Sequence, residues 1–422
     1  MSINNDNDRI KQELLERFIR YVKIDTTSYK HREKIPSTPG QWTLLKDLVT
    51  ELKDFRITAV DLDENGYLIG RIPSNITSEK NPPAIGFMAH VDTSSDVSGT
   101  NVLPRIHRDY DGKPIYLKGD QVLDPAGTPS LLNYRGDTII TSDGSTLLGA
   151  DDKAGVAEIM TAAAWLQKNP HFPHGTVEII FTPDEETGRG LDYFPVKKLE
   201  SRYCYTLDGD GEGTVEAECF NGYTVFVTIK GVVIHTGIAR GKLRNAVTMA
   251  GAFVNMLPRN ESPEATDLRY GFYCPVEIRG ELGEAKIEIY LRDYEKEEIE
   301  RRIEVLKRIA LAVEGMFPGG KVELEVRKMY SNMRDYINKN NKVLDLLDLA
   351  IRRAGAEPVK KSIRGGTEGA RLSEMGIPAP NIFNGGSNFH STLEWASLSA
   401  MGKACKTIIN LISLWAEKGI ES

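Results

Sequence analysis

Apolar residues Leu14, Leu15, Phe18, Ile19 and Val22 recur at helical spacing near the start of the chain, and Leu45, Leu48, Val49 and Leu52 repeat the pattern. Both stretches predict amphipathic helices. Residues 58–71 instead alternate around Asn65-Gly66, the dipeptide favoured in a tight type I′ turn, and predict a β-hairpin. Three short, nearly continuous apolar runs follow at 84–88, 176–181 and 203–207. Each is too short for a helix and reads as a strand buried on both faces. Between the first two, Val156, Ile159, Met160, Ala163 and Leu166 mark one face of a helix over 152–167. Strand alternates with helix, so the fold class is α/β, with a largely parallel central sheet.

The pattern changes between 219 and 330. Strand 223–230, helix 243–257, strands 272–278 and 285–291, helix 294–316 and strand 321–327 follow in the split, ferredoxin-like order βαββαβ. The second helix carries Ile299, Ile303, Leu306, Ala310 and Val313 on one face and stops at Pro318-Gly319-Gly320. This region is expected to be a lid inserted into a discontinuous catalytic domain, made of 1–218 and 331–422. Alternation resumes after 331 and ends in a long helix over 393–417. The Pro/Gly-rich stretch 97–144 reads as loops and short strands.

At 422 residues the chain exceeds what one core usually holds, which agrees with two domains. A formal charge of −7 without a Lys/Arg-rich block disfavours nucleic acid or an anionic membrane as partner and points to small substrates. Residues 1–9 are polar and lack the basic segment and apolar run of a secretory signal, so a cytoplasmic location is expected. Cys204, Cys219, Cys274 and Cys405 are scattered without a C-x-x-C pair. Any metal must therefore be held by histidines and carboxylates. The oligomeric state is open.

Five sites of that kind punctuate the α/β part: His90-Val91-Asp92, Asp151-Asp152, Glu185-Glu186, Asp208 and His390. Each has an ordinary reading. Asp151 or Asp152 could cap a helix, Asp184-Glu185-Glu186 could be a solvated turn, and His90 could bond a neighbour at a strand end. Three of the sites, however, directly follow the three apolar runs, and the carboxyl ends of strands line the ligand crevice of an open α/β sheet. His, Asp and Glu without sulfur suit Zn²⁺ or a related ion, and a carboxylate-bridged metal pair is a recurrent device for peptide hydrolysis.

The strings GFMAHVDT (86–93), LLGADDKAGVAEI (147–159), FTPDEETGRG (181–190), TLDGD (206–210), KGVVIHTGIARGKLRNA (230–246) and IRGGTEGARLSEMGIPAPNIFNGGSNFHSTLEW (363–395) resemble the M20 metallopeptidase family in order and spacing. Within the family they are similar to members that release the N-terminal residue of tripeptides. The resemblance implies two Zn²⁺ ions, one on His90 and Asp208, the other on Glu186 and His390, with Asp151 bridging. It implies Asp92 as the carboxylate that orients His90, and Glu185 as general base. In the inserted domain it implies His235 as a contact to the substrate carbonyl, with Asn245, Arg292 and Arg364 as further substrate-binding residues.

Asp at position 208, where carboxypeptidase-type members carry Glu, implies the aminopeptidase side. Thr236 stands where the family usually has Pro, which bears on peptide-length preference. A dipeptidase or an N-acyl amino acid amidohydrolase is the alternative within the same fold.

Overall fold

The computed structural model describes residues 6–76 and 82–418, so Met1 to Asn5 of the polar opening lie outside the described residues. The chain divides into two compact units. One comprises Met1–Ala217, Asp335–Lys361 and Thr367–Ser422, the other Glu218–Arg334 and Ser362–Gly366. The sequence boundaries fall within four residues of these, apart from Ser362–Gly366. That short segment joins the second unit because the Phe220 amide donates to the Ile363 carbonyl and the Arg364 guanidinium bonds Thr266 Oγ1 and the Leu268 carbonyl.

The first unit is built on an eight-stranded sheet. In spatial order its strands are Ala59–Leu62, Leu68–Ile72, Val177–Thr182, Ile85–His90, Tyr203–Gly209, Asn381–Phe383, Thr214–Cys219 and Val359–Ile363. Ile85–His90 runs parallel to Val177–Thr182 and to Tyr203–Gly209, and every residue of the first two is buried. Their period of two divides the side chains between two cores. Phe87, Ala89, Ile179 and Phe181 join the large cluster under helices Asn7–Tyr21, Ala150–Lys168, Lys342–Ala354 and Leu398–Lys418. Met88 and Ile180 face the opposite side, with Leu191, Phe194 and Leu372. Nearly continuous apolar runs are what such two-sided burial favours, and the one charge inside them, Glu178, is paired with Arg71.

Two local readings are corrected. The hairpin exists, with Leu62 paired to Leu68, but its loop is longer than a two-residue turn. The Asp63 carboxylate accepts the amides of Asn65 and Tyr67, and only Gly66 takes a positive φ, of 83°. A type I′ turn needs two such residues. The last helix begins at Leu398 rather than near 393, because Trp395–Ser397 pairs with Ile139–Thr141 as a strand. That pairing belongs to a small four-stranded sheet that gathers short strands from the 97–144 stretch.

The second unit is a four-stranded antiparallel sheet in the order Phe272–Gly280, Glu284–Asp293, Asn221–Lys230, Lys321–Tyr330. Helices Ala246–Asn255 and Lys296–Met316 complete the βαββαβ order. Val225, Val227, Ile287, Ile289 and Leu291 bury one sheet face against Met249, Phe253, Ile299, Leu306 and Val313 of the helices. Cys204, Cys219 and Cys405 are buried and Cys274 is half-buried. Among the described residues no helix is long and apolar enough to cross a membrane.

Candidate dinuclear metal site

Three parallel strands deliver three acidic or histidine groups to one rim. His90 ends its strand beside Thr182, and the register Met88↔Thr206 puts Asp208 level with His90 two residues later. Beyond Thr182 the chain turns sharply at Asp184, whose φ is 56°, into a single 3-10 turn, Glu185–Thr187. The Asp184 carboxylate pins that turn by accepting the Ser37 amide at 2.7 Å and Gln41 Nε2 at 2.8 Å. The acidic run is thus anchored rather than solvated.

Asp151 arrives from the other direction, at the start of the helix Ala150–Lys168, where Asp151 and Asp152 leave helical φ/ψ. His390 comes from the loop after Asn381–Phe383. His90, Asp151 and Asp208 offer ligand atoms all within 4.8 Å of one another, and so do Asp151, Glu186 and His390. Asp151 is common to both groups. Its Oδ1 lies 2.9 Å from His90 Nε2 and its Oδ2 lies 3.3 Å from His390 Nε2. Asp208 Oδ1 is 3.8 Å from His90 Nε2, and Glu186 Oε1 is 3.0 Å from His390 Nε2.

The outer nitrogens of both rings have partners of their own. His90 Nδ1 lies 3.1 Å from the Asp92 carbonyl and 3.3 Å from Asp92 Oδ1. His390 Nδ1 lies 3.0 Å from Asp96 Oδ2. With Nδ1–H directed at an acceptor, the Nε2 lone pair of each ring points into the carboxylates, the arrangement that suits a metal ligand. The Asp92 carboxylate accepts in addition the amides of Glu185 at 3.0 Å and Glu186 at 3.2 Å.

The electrostatics call for positive charge between the rings. Burial pushes Glu186 up to about 7, with Asp151 adding to it, and Asp208 up to about 6. Burial likewise pushes Glu185 well above the ordinary carboxylate range. Asp151 and Glu186 raise His390 to about 11, and His90 rises well above the usual histidine value despite its burial, because Asp151, Asp208 and Asp92 surround it. Asp151 is held low, burial being outweighed by hydrogen bonds from His390 and His90. Without a cation the rings must carry protons to balance the acids. Divalent ions would take over that charge, and the hard-oxygen and imidazole donor set fits them.

The second-unit residues have local partners. His235 is exposed and its Nδ1 accepts the Gly237 amide. Asn245 caps the helix Ala246–Asn255, its Oδ1 accepting the amides of Val247 and Thr248. Arg292 bonds the carbonyls of Tyr223 and Leu291 between the rings of Tyr290 and Tyr330. Arg364 lies over Phe220 and Phe272.

Sequence reasoning missed several residues. Asp96 holds the outer nitrogen of His390. Lys153 is fully buried, donating to the Ile24 carbonyl at 2.7 Å, and burial lowers it to about 8. Glu368 is buried, accepts the Thr182 hydroxyl at 2.6 Å, and is pushed by burial to about 8. Glu394 accepts three backbone amides next to Asp151. Lys153, Glu368 and Glu394 lie inside the strings that carry the resemblance, but nothing in their spacing distinguishes them from surface charges.

The family model of peptidases M20/M25/M40 matches residues 141–414. Peptidase T of Geobacillus thermodenitrificans is 45% identical over 97% of this chain and 100% of its own length. The chain belongs to the M20/M25/M40 peptidase family. Peptidase T of Clostridium acetobutylicum is 43% identical over 96% of this chain and all of its own. Among solved structures of this M20 fold, aminopeptidase PepT of Bacillus cereus aligns with a TM-score of 0.72 at 23% identity, covering 97% of this chain and 99% of its own. A tripeptidase of Staphylococcus aureus gives 0.74 at 21% identity over the same shares. A Bacillus subtilis M20 peptidase described as dinuclear and metal-binding gives 0.65 at 16% identity, covering 97% and 99%. The M20 family match takes in Asp151, Glu185, Glu186, Asp208 and His390 but begins beyond His90 and Asp92.

Proposed function

We propose that the protein is a two-zinc aminopeptidase that releases the N-terminal residue of tripeptides. The observation that carries this reading is the placement of Asp151, one oxygen toward His90 and the other toward His390, at 2.9 and 3.3 Å. Full-length similarity to two proteins called peptidase T supports the substrate class.

In this reading His90 and Asp208 would hold one ion, Glu186 and His390 the other, and Asp151 both. The ions would polarise the scissile carbonyl and acidify an attacking water. Glu185 accepts the proton of that water as its oxygen bonds the carbonyl carbon, then returns it to the departing amine as the C–N bond breaks. Burial suits it to the task, because a carboxylate with a raised pKa takes a proton more readily near neutrality. Asp92 keeps the His90 ring oriented. His235 steadies the carbonyl oxygen, Asn245 assists in substrate binding, and Arg364, ahead of Arg292, takes the peptide's terminal carboxylate through its paired N–H groups. The second unit serves as the substrate-binding lid. The buried cysteine thiols suit a reducing, cytoplasmic compartment.

Glu185→Gln tests the reading. The variant is expected to keep two zinc ions per chain by elemental analysis and to lose at least about a hundredfold in kcat on a free tripeptide. Undiminished turnover would refute the role of Glu185. A panel of tripeptide, dipeptide, N-blocked tripeptide and N-acyl amino acid fixes the substrate class, with the free tripeptide expected to be cleaved best.

A further inference from the structure

One buried carboxylate outside both ligand groups is directed at the backbone that presents Asp151. Glu394 is 1% exposed. Its Oε2 accepts the Leu148 amide at 2.7 Å and the Gly149 amide at 2.8 Å, and its Oε1 accepts the Asp151 amide at 3.1 Å. Three amides converge because Gly149 takes φ 85° and Asp151 lies off the helical φ/ψ region, so the chain wraps around the carboxylate as a backbone nest. A positive φ at 149 is available to glycine without strain. The carboxylate also sits ahead of the helix that is regular from Lys153 to Lys168, where negative charge is favoured.

Glu394 is tied at its other end to the second ligand group. Its amide donates to the Ser391 carbonyl, and the Leu393 amide donates to Ser391 Oγ, closing a tight turn directly after His390. One short segment therefore supplies His390 and grips the main chain that sets the direction of the Asp151 side chain.

We infer that Glu394 is a positioning residue for the metal centre, holding the Leu148–Asp151 backbone so that the Asp151 carboxylate stands between His90 and His390. The inference rests on the two-metal reading above. Because Asp151 is common to both groups, Glu394 acts on both ions together. A glutamine of the same shape has one acceptor oxygen and one NH2 group. It leaves at least one of the three amides facing a donor.

The experiment compares the parent with E394Q. Each is stripped of metal and titrated with zinc against a chromophoric chelator, cobalt serves as a spectroscopic replacement, and the melting temperature of the metal-free protein is recorded. E394Q is expected to lose roughly 10- to 100-fold in affinity for both ions, as loss of a group that orients metal ligands does, with a shifted cobalt spectrum. Where E394Q does not fold, E394D keeps both acceptor oxygens one methylene further back and is expected to lose affinity for both ions to a smaller degree. Affinities within about twofold of the parent, even with a lowered melting temperature, would mark a purely structural clamp and overturn the inference; a loss confined to one ion would overturn it as well. A parent that takes up no ion overturns the two-metal reading and this inference with it, whereas two ions bound equally by parent and variant overturn the inference alone.

Discussion

Gly155 lies in the helix that carries Asp151, where it packs against the strand that carries Asp208. A Cβ there would sit 2.5 Å from Asp152 Oδ1 and 2.6 Å from the Leu207 carbonyl, one residue before Asp208. Gly155→Ala is therefore expected to destabilise the fold by about 1–3 kcal/mol in urea unfolding, the usual range for overpacking a tight site. Gly251, in a helix of the second unit, meets no atom within 4 Å of its added Cβ. Gly251→Ala should gain up to about 1 kcal/mol, and the same titration reads both signs. The guanidinium of Arg364 makes a different kind of prediction. Replacing it with Ala should raise KM for a free tripeptide about tenfold and leave an amide-terminated tripeptide unaffected; equal effects on both would exclude a carboxylate contact. At this scale the ligand-type residues were legible because three of them follow apolar strands directly. Lys153, Glu368 and Glu394 were not, since a lone charge carries no mark of being buried until the fold surrounds it, and exposed Asp96 was not because its contact to His390 joins distant parts of the chain.

Among elements, strands and helices with strong periodicity were legible, and their ends less so. The burial on both faces that makes Ile85–His90 and Val177–Thr182 mostly apolar is written in their composition. The pairing of Trp395–Ser397 with a distant strand is not, and that pairing moved the start of the last helix. The end of the strand Thr214–Cys219 carries a testable charge. Glu218 receives two bonds of 2.8 Å from Arg269 and another of 2.8 Å from Arg334. The Arg269 bonds, against the opposing effect of burial, pull its pKa down to about 2. A carboxylate depressed in the folded state contributes stability above its unfolded pKa, and that contribution disappears as pH falls toward the folded value. Arg269 is about half exposed, so solvent screening limits the effect to about 1 kcal/mol. Glu218→Gln should thus melt below the parent at pH 7, with the gap closing between about pH 4.5 and 2. A gap that persists at the acid end would exclude the ion pair as its cause.

At the level of the whole molecule, each unit has a core of its own. The switch from alternating strand and helix to the βαββαβ order is where this division is legible in the sequence. The five-residue return of Ser362–Gly366 escaped, because it is set by contacts to Phe220 and Thr266 that no local pattern announces. Ions bound by the folded state alone stabilise it, by about 4 kcal/mol at a thousandfold excess over Kd. Chelation should accordingly lower the melting temperature of the parent, since the acids around Asp151 then lose their counter-charge. Leu306→Ala, in the core of the second unit, should cost roughly 2–5 kcal/mol of stability there and leave the zinc-to-protein ratio unchanged.

Asp92 braces the His90 ring while its carboxylate takes the amides of both Glu185 and Glu186. The His90 ring, a proposed metal ligand, and Glu185, the proposed proton acceptor, therefore share one mount. Loosening it tilts both at once, so variants with graded activity are to be sought at positions that touch only one of the two, and damage at this aspartate should come as a single collapse.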